Sequence, residues 1–379
     1  MLLHLLHVVM LATSDLNDQM PDGGDEMILP DEMASIVTEE ERSLLSTLTK
    51  NGVPITFAQD HLWGDDSRTI DYGTGLSYPA KAERARANPH VGLLFHRGQT
   101  EGIYMPPGTS QRKGTQEGSI LAIAADASVE DADLQATTDR WVRSRLEIDE
   151  DRAPTGRSSL VDTPDASWAD AVFYWVRMFI NCTPKAAYLW PDGQLNQPPQ
   201  TWKAPPESVA PPSDPAPGGS ATRSTSAPPP PWDDLANRLL ARDLLAPYLT
   251  LLTDDGYPLP FWTTGVELVS DGFRLDVPSG APWPLRGKGC LNFESKGGWQ
   301  PGIGGNFVGI VEEVEDGVLF RVDHAVPSHA LNSQVEEGRS HLQPEPDVRQ
   351  RQMERLEGEL ARRGASTPIV RRPETTSKS

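Results

Sequence analysis

Apolar residues early in the chain have a spacing typical of a helix. Leu44, Leu45 and Leu48 have the spacing of one helical face. Thr38 and Glu41 precede them in the pattern of a capping box, in which each side chain satisfies a free backbone amide at a helix start. This pattern predicts a helix that contains the three leucines.

The second half contains a similar pattern, followed by a proline. Either Asp233 or Asp234 is a suitable N-cap, and Pro247 is expected to kink or end the helix. The apolar face of this predicted helix is formed by Leu235, Leu239, Leu240 and Leu244.

Short β-branched and aromatic runs, separated by turn residues, follow the first predicted helix. They cover residues 53–59, 68–74, 90–96, 118–126 and 171–181. A second helix is predicted from about Pro79 to Asn88. Many short strands at this spacing indicate a β-barrel, so the fold class is mainly β with some α (α+β).

Four sequence blocks recur in the same order in both halves, which indicates an internal duplication. NGVPITF matches DGYPLPF, TIDYGTG matches RLDVPSG, VGLLF matches GCLNF, and GSILAI matches GNFVGI. The gaps between successive blocks differ only by loop-sized lengths. We therefore predict two diverged copies of one module.

Composition divides the chain around these copies. A run rich in Pro, Ser, Ala and Gly is predicted to be a disordered linker because it has almost nothing to bury. The predicted parts are a flexible N-terminal arm (1–37), a first domain (38–190), the linker (191–231), a second domain (232–332) and a tail with one charged helix (333–379). Residues after Gly364 are expected to be disordered.

The charge balance and the cysteines restrict the partners and the location. The net charge of -20 opposes binding to nucleic acid or to anionic membranes. Cys182 and Cys290 stand alone in apolar runs, so both are interpreted as reduced core residues. The apolar N-terminal stretch is too short to span a bilayer and has no basic flank, which favours a cytoplasmic protein. No metal-ligand spacing is present, and the eight histidines form no metal motif.

Residues 69–95 carry the most informative chemistry, reading as strand, Gly-rich turn, helix and strand. The hydroxyls of Thr74 and Ser77, the free amides of the helix start and the ammonium of Lys81 are expected to converge on one point. That point would suit a phosphate. An ordinary capped helix start explains the same residues, and this alternative stays open.

This segment resembles the FMN-phosphate segment of the split barrels related to pyridoxamine 5'-phosphate oxidase, and the resemblance extends over about residues 40–190. It implies two tandem split β-barrels that form an intramolecular pseudo-dimer with FMN at their junction. It also implies that Thr74 and Lys81, with Ser77, bind the FMN phosphate. F420 or heme is the alternative cofactor in such proteins.

The second copy departs from this pattern because only APWPLRGK separates its equivalent blocks, leaving no room for a helix. Arg286 and Lys288 are candidate phosphate contacts there, although loss of this site is the simpler interpretation. Trp299 is a candidate cover for a flavin edge, or an exposed loop aromatic. Arg177, a charge in an apolar strand, is a further candidate cofactor contact.

The resemblance implies an FMN-binding protein that acts as a flavin-dependent oxidoreductase on an unidentified small molecule. A flavin- or heme-binding module without turnover, an F420-dependent reductase and a degenerate barrel scaffold are the alternatives. No general acid or base stands out in the sequence, so the catalytic residues stay unknown. Internal pairing of the barrels predicts a monomer.

Overall fold

The computed structural model describes residues 28–40, 42–96, 118–152, 171–221, 231–241, 247–294, 304–315, 317–326 and 346–371. Its helices are α1 (Asp31–Glu39), α2 (Ala80–Ala87), α3 (Leu134–Arg152), α4 (Val172–Trp175), α5 (Trp232–Leu240) and α6 (Pro346–Arg363). The strands of the first half are β1 (Arg42–Leu48), β2 (Pro54–Asp60), β3 (Leu62–Trp63), β4 (Ile70–Gly75), β5 (His90–His96), β6 (Ile120–Glu130), β7 (Arg177–Trp190) and β8 (Gln200–Lys203). Those of the second half are β9 (Tyr248–Leu252), β10 (Pro258–Trp262), β11 (Gly265–Val269), β12 (Gly272–Asp276), β13 (Gly287–Glu294), β14 (Gly304–Val314) and β15 (Gly317–Val326).

The strands form two curled antiparallel half-barrel sheets with the same topology. The first has the order β2-β1-β5-β6-β7-β4-β3, with β8 added beside β7, and the second has the order β10-β9-β13-β14-β15-β12-β11. Each strand of one order corresponds to the strand at the same place in the other. The predicted tandem pair of split barrels is therefore confirmed at the level of the fold.

The ladders also align the two copies residue by residue. Leu94 pairs with Ala122 in the first sheet, and Asn292 pairs with Asn306 in the second. Because VGLLF matches GCLNF, Leu94 corresponds to Asn292, and hence Ala122 corresponds to Asn306. Aligned letter by letter, the GSILAI and GNFVGI blocks instead match Ala122 to Gly309. The sequence alignment of this fourth block therefore differs from the structural alignment by three residues.

The first predicted helix is wrong, because its leucines lie on β1. Leu45 faces the first core, whereas Leu44 packs with residues of the second half. A strand covered on both faces carries consecutive apolar residues, and such a run also fits helical spacing. The helix of this region is α1, which ends before the leucines and buries Met33 and Ile36.

The other helix predictions are confirmed within the described residues. The helix α2 lies inside the predicted span. In α5, Leu235 and Leu239 are buried and Asp233 and Asp234 occupy the first turn, while Leu244 lies outside the described residues. Residues 171–176 are not a strand as predicted, because the short helix α4 precedes β7.

The predicted disorder of the linker is wrong for its described part, residues 191–221. Strand β8 pairs with β7, and the Ser213 hydroxyl accepts a hydrogen bond from the Val129 amide at 3.0 Å. The Asp214 carboxylate accepts the backbone amides of Asp131 and Ala132, both at 2.7 Å. A Pro-rich segment has little to bury, but these polar contacts attach it to the edge of the first sheet.

The tail helix also packs more closely than its charged sequence indicates. Leu356 and Leu360 of α6 belong to the first core, and Arg363 forms an ion pair with Asp131 at 2.9 Å. Beyond the helix, the Ile369 amide donates to the Gln135 side chain at 2.8 Å. The expected disorder after Gly364 is therefore wrong for residues 365–371.

The two halves pack against each other through their outer sheet faces. Strand β5 of the first half lies very close to β10 of the second half. A Cβ atom added at Gly92 would be 1.8 Å from the Pro258 carbonyl oxygen. The hydroxyl of Thr56 on β2 lies 2.6 Å from that of Thr250 on β9. We call this contact surface the junction. None of the helices described here is long and apolar enough to cross a membrane.

Candidate functional site

The turn between β4 and α2 is held by backbone hydrogen bonds to neighbouring elements. The Leu76 amide donates to the Val176 carbonyl at 3.0 Å, and the Tyr78 amide donates to the Gly75 carbonyl at 2.9 Å. Ala82 and Ala85 are buried, and these small side chains allow the helix to lie flat on the sheet. This packing fixes where the side chains of the turn and of α2 point.

The two predicted hydroxyl ligands are already enclosed. Thr74 is 2 % exposed and lies on the face of β4 that it shares with the core residues Ile70 and Tyr72. The Ser77 hydroxyl donates to the carbonyl oxygen of Gln352 on α6 at 3.1 Å. The side chain of Gln352 in turn donates to the Tyr78 hydroxyl at 3.0 Å, so α6 covers the beginning of the predicted phosphate site.

Lys81 points to the gap between β2 and β4, where the barrel is split. Its ammonium donates to the Gln59 side-chain oxygen at 2.5 Å and lies 5.4 Å from the centre of the Phe57 ring. The Gln59 amide donates to the Gly73 carbonyl at 2.7 Å and therefore bridges the two strands. The Lys81 ammonium thus has Gln59 as a neutral hydrogen-bond partner at the split between the two strands.

Arg84 is a second cation in this place, and the sequence reasoning missed it. It follows Lys81 by three positions on α2, a spacing that places both on one helical face. Its guanidinium donates to the Thr47 hydroxyl at 2.8 Å and lies 5.8 Å from the centre of the Phe57 ring. Its Nη2 is buried and has no hydrogen-bond partner among the described residues.

The electrostatics of Arg84 fit an anionic group. Burial lowers the pKa of its guanidinium to about 10, an effect that the nearby Cys290 thiol of the second half opposes. A buried guanidinium with an unused donor costs free energy unless it is paired. Lys81 and Arg84 together, beside the junction, therefore fit the oxygens of a phosphate. We call this pair the cationic site.

Among the described residues of the second half, the place that corresponds to the cationic site holds an aromatic side chain. Phe261 corresponds to Phe57, and its ring lies 5.7 Å from the ring of Trp283, which is buried in the segment that replaces α2. Trp283 also packs against Trp190 and Tyr188 of the first half. An indole ring thus fills the place that cations occupy in the first half.

The remaining candidates of the second half are Arg286, Lys288 and Trp299. Arg286 is exposed, and the Lys288 ammonium donates to the carbonyl oxygen of Asn51 across the junction at 2.5 Å. Trp299 lies outside the described residues. The structure therefore does not bring Arg286, Lys288 and the cationic site together through any described contact.

The two faces of the junction differ in polarity, and the more polar contact lies on the side of the cationic site. Asn292 and Asn306 face β2, and Asn306 donates to the Thr56 carbonyl at 2.9 Å. Their counterparts Leu94 and Ala122 lie in the apolar cluster of the second half. Asn292 Oδ1 is buried without a hydrogen-bond partner among the described residues. The junction is thus polar beside the cationic site and apolar at the equivalent place.

Arg177 is the first residue of β7 and pairs with Gly75 of β4. Its guanidinium lies 4.8 Å from the centre of the Trp141 ring and 4.6 Å from that of Tyr174. Burial lowers the pKa of the guanidinium, and no salt bridge joins it to a described carboxylate. The structure shows no described contact between Arg177 and Lys81, so these two candidates are not brought together.

Comparisons with known proteins give structural likeness alone. No family model matches the chain, and no curated protein matches its sequence. Among solved structures, it is similar to a candidate pyridoxamine 5'-phosphate oxidase of Listeria innocua, with 19 % identity and a TM-score of 0.26, over 42 % of this chain and 95 % of that one.

A pyridoxamine 5'-phosphate oxidase-related, FMN-binding protein of Nostoc punctiforme matches with 13 % identity and a TM-score of 0.26, over 42 % of this chain and 80 % of that one. The heme storage protein HutZ of Vibrio cholerae matches with 14 % identity and a TM-score of 0.27, over 44 % and 96 %. The tandem architecture itself rests on the equal strand orders of the two sheets.

Proposed function

We propose that the protein binds one FMN at the junction, with the FMN phosphate at the cationic site, and that it is a flavin-dependent oxidoreductase. The observation that carries the proposal is Arg84, a buried cation with an unused donor, one helical turn from Lys81. The proposal also draws on the resemblance of residues 69–95 to the FMN-phosphate segment of split barrels.

In this proposal the chain's own residues bind and orient the ligand. Lys81 and Arg84 neutralise the phosphate charge, and Gln59 keeps the Lys81 ammonium directed to the split between β2 and β4. Ser77 and Thr74 form the wall of the turn rather than phosphate ligands, since Ser77 already donates to Gln352. When bound, the flavin would supply hydride transfer, for which the protein provides position and electrostatics.

A single site per chain follows from the difference between the halves. Trp283 fills the second place, so Arg286 and Lys288 are not phosphate ligands in this proposal. The alternatives F420 and heme also carry anionic groups, and they would use the same cations. Two buried, unpaired cysteines suit the cytoplasmic location that forms part of the proposal.

Titration with FMN, followed by the quenching of flavin fluorescence, tests the proposal. We expect saturation near one FMN per chain. Lys81→Ala and Arg84→Ala should each weaken binding by about 1.5 to 3 kcal/mol, the range for a hydrogen bond to a charged group. Arg286→Ala, which removes an exposed cation from the second half, is the matched control and should leave the dissociation constant unchanged.

The absorbance spectrum of the purified protein separates the alternatives. Flavin bands together with bleaching by a nicotinamide cofactor would support the oxidoreductase, whereas flavin bands without reduction would leave a binding module. A Soret band would favour heme. An FMN affinity that does not change in either Lys81→Ala or Arg84→Ala would reject the cationic site as the phosphate site.

A further inference from the structure

Residues 208–217, within the attached segment 191–221, are a proline-rich stretch that forms neither helix nor strand. Proline fixes its own φ at about -65° and keeps the residue before it out of the helical region. The stretch contains four prolines, which are Pro211, Pro212, Pro215 and Pro217. Together these restrictions favour the polyproline II helix, which has three residues per turn.

Hydrogen bonds attach this stretch to the first half near both of its ends. At its start, the Ser208 carbonyl oxygen accepts a hydrogen bond from the Lys185 ammonium at 2.7 Å. Further along, the Asp214 amide donates to the Val129 carbonyl oxygen at 2.8 Å, and the Arg86 guanidinium donates to the Asp214 carbonyl oxygen at 3.2 Å. The stretch is therefore fixed before any partner binds, which removes the cost of ordering a flexible segment on binding.

One row of side chains along this stretch is exposed to solvent. Val209, Pro212 and Pro215 follow one another at intervals of three, the period of one polyproline II face, and all three are exposed. Val209 is 74 % exposed, the highest value among the exposed large apolar residues in the described ranges. Ser208 and Asp214, which carry the attachment, are half-buried. We call the row of Val209, Pro212 and Pro215 the proline ridge.

The chemistry of the proline ridge limits the kind of partner that fits it. Proline has no backbone N–H, so this stretch offers a strand of another protein few of the hydrogen bonds through which sheet edges pair. The net charge of -20 opposes nucleic acid and anionic membranes. Apolar side chains at every third position instead fit a groove lined with aromatic rings, the mode by which proline-rich segments are recognised.

Exposed carboxylates stand at both ends of the proline ridge. Glu207 precedes it, and Asp133 directly follows Ala132, whose amide donates to the Asp214 carboxylate at 2.7 Å. A groove with basic side chains at its rim is therefore complementary in charge to the ridge and its surroundings.

We propose that the proline ridge is a docking surface for a second protein, which binds it through a domain whose groove is lined with aromatic side chains and has basic side chains at its rim. The ridge places Val209, Pro212 and Pro215 in this groove, and the attached backbone holds them at the spacing of one face. None of the three belongs to the cationic site, so the proposal goes beyond the flavin function and does not depend on it.

Isolated SH3 and WW domains with basic residues at the groove rim are suitable probes, and their binding to the immobilised full chain is measured by biolayer interferometry. We expect saturable binding by at least one of them. Pro212→Ala and Pro215→Ala should each raise its dissociation constant at least fivefold. Pro211→Ala is the matched control, because it removes a neighbouring exposed proline from a different row of the same stretch and should change the constant less than twofold.

A synthetic peptide of residues 204–217 tests the role of the attachment. It should bind the same domain at least fivefold more weakly than the full chain does, because the free peptide must be ordered on binding. Absence of binding by both kinds of domain would overturn the proposal. Equal losses in Pro211→Ala and Pro212→Ala would show recognition of proline content rather than of one face, and would also overturn it. Since the replaced prolines are exposed, each variant can be checked for an unchanged melting temperature.

Discussion

At the scale of single residues, Asp71 shows how the protein encloses a charge. Its carboxylate on β4 is 1 % exposed and forms an ion pair with Arg140 of α3, while Oδ1 has no hydrogen-bond partner among the described residues. Burial raises the pKa of this carboxyl to about 6, and Arg140 opposes the shift. Desolvation thus outweighs the attraction of the arginine.

This raised pKa makes the stability depend on pH in a defined direction. The folded protein holds the Asp71 proton more tightly than the unfolded chain does, so the contribution is greatest below about pH 4. It is lost as the pH rises to about 6 and beyond. Relative to Asp71→Asn, the wild type should lose roughly 1 to 3 kcal/mol of unfolding free energy over this interval.

Urea denaturation at several pH values between 4 and 7 measures this difference. Asp139→Asn is the control, because Asp139 is an exposed carboxylate on the same helix as Arg140 and should give the wild-type pH profile. Parallel profiles for wild type and Asp71→Asn would contradict the raised pKa.

At the scale of elements, the sequence predicted the repeated strands well because alternation and turn residues are local signals. It failed at β1, where Leu44 and Leu45 face two different apolar surfaces, and the second surface belongs to a distant part of the chain. It failed again after residue 190, since Asp214 is fixed by backbone amides that composition does not reveal. The sequence did not indicate Arg84 as an anion-binding residue because that property depends on its burial in the fold.

The attachment of residues 191–221 gives a prediction at this scale. Asp214→Ala removes the acceptor of the Asp131 and Ala132 amides just before α3. We expect a loss of about 0.5 to 2 kcal/mol in unfolding free energy, the range for a helix cap. Limited proteolysis should also cleave this segment faster. The Asp192→Ala variant, which alters an acidic residue of the same segment, is the comparison, and equal cleavage rates would contradict the attachment.

At the scale of the whole molecule, the junction pairs the two half-barrel sheets within one chain. We therefore expect the chain to be a monomer, with one FMN site rather than two. Light scattering coupled to size exclusion should give a mass near 41.5 kDa over a wide range of protein concentrations. A mass of twice that value at every concentration would contradict internal pairing as the complete assembly.

The unequal faces of the junction also affect how such a molecule can evolve. In an assembly of two identical chains, every substitution is present twice, so a polar residue introduced for a ligand also weakens the symmetric contact. Here Asn292 and Leu94 occupy corresponding places but are encoded separately. Selection can therefore adjust one side for ligand chemistry and the other for packing, without a compromise between the two.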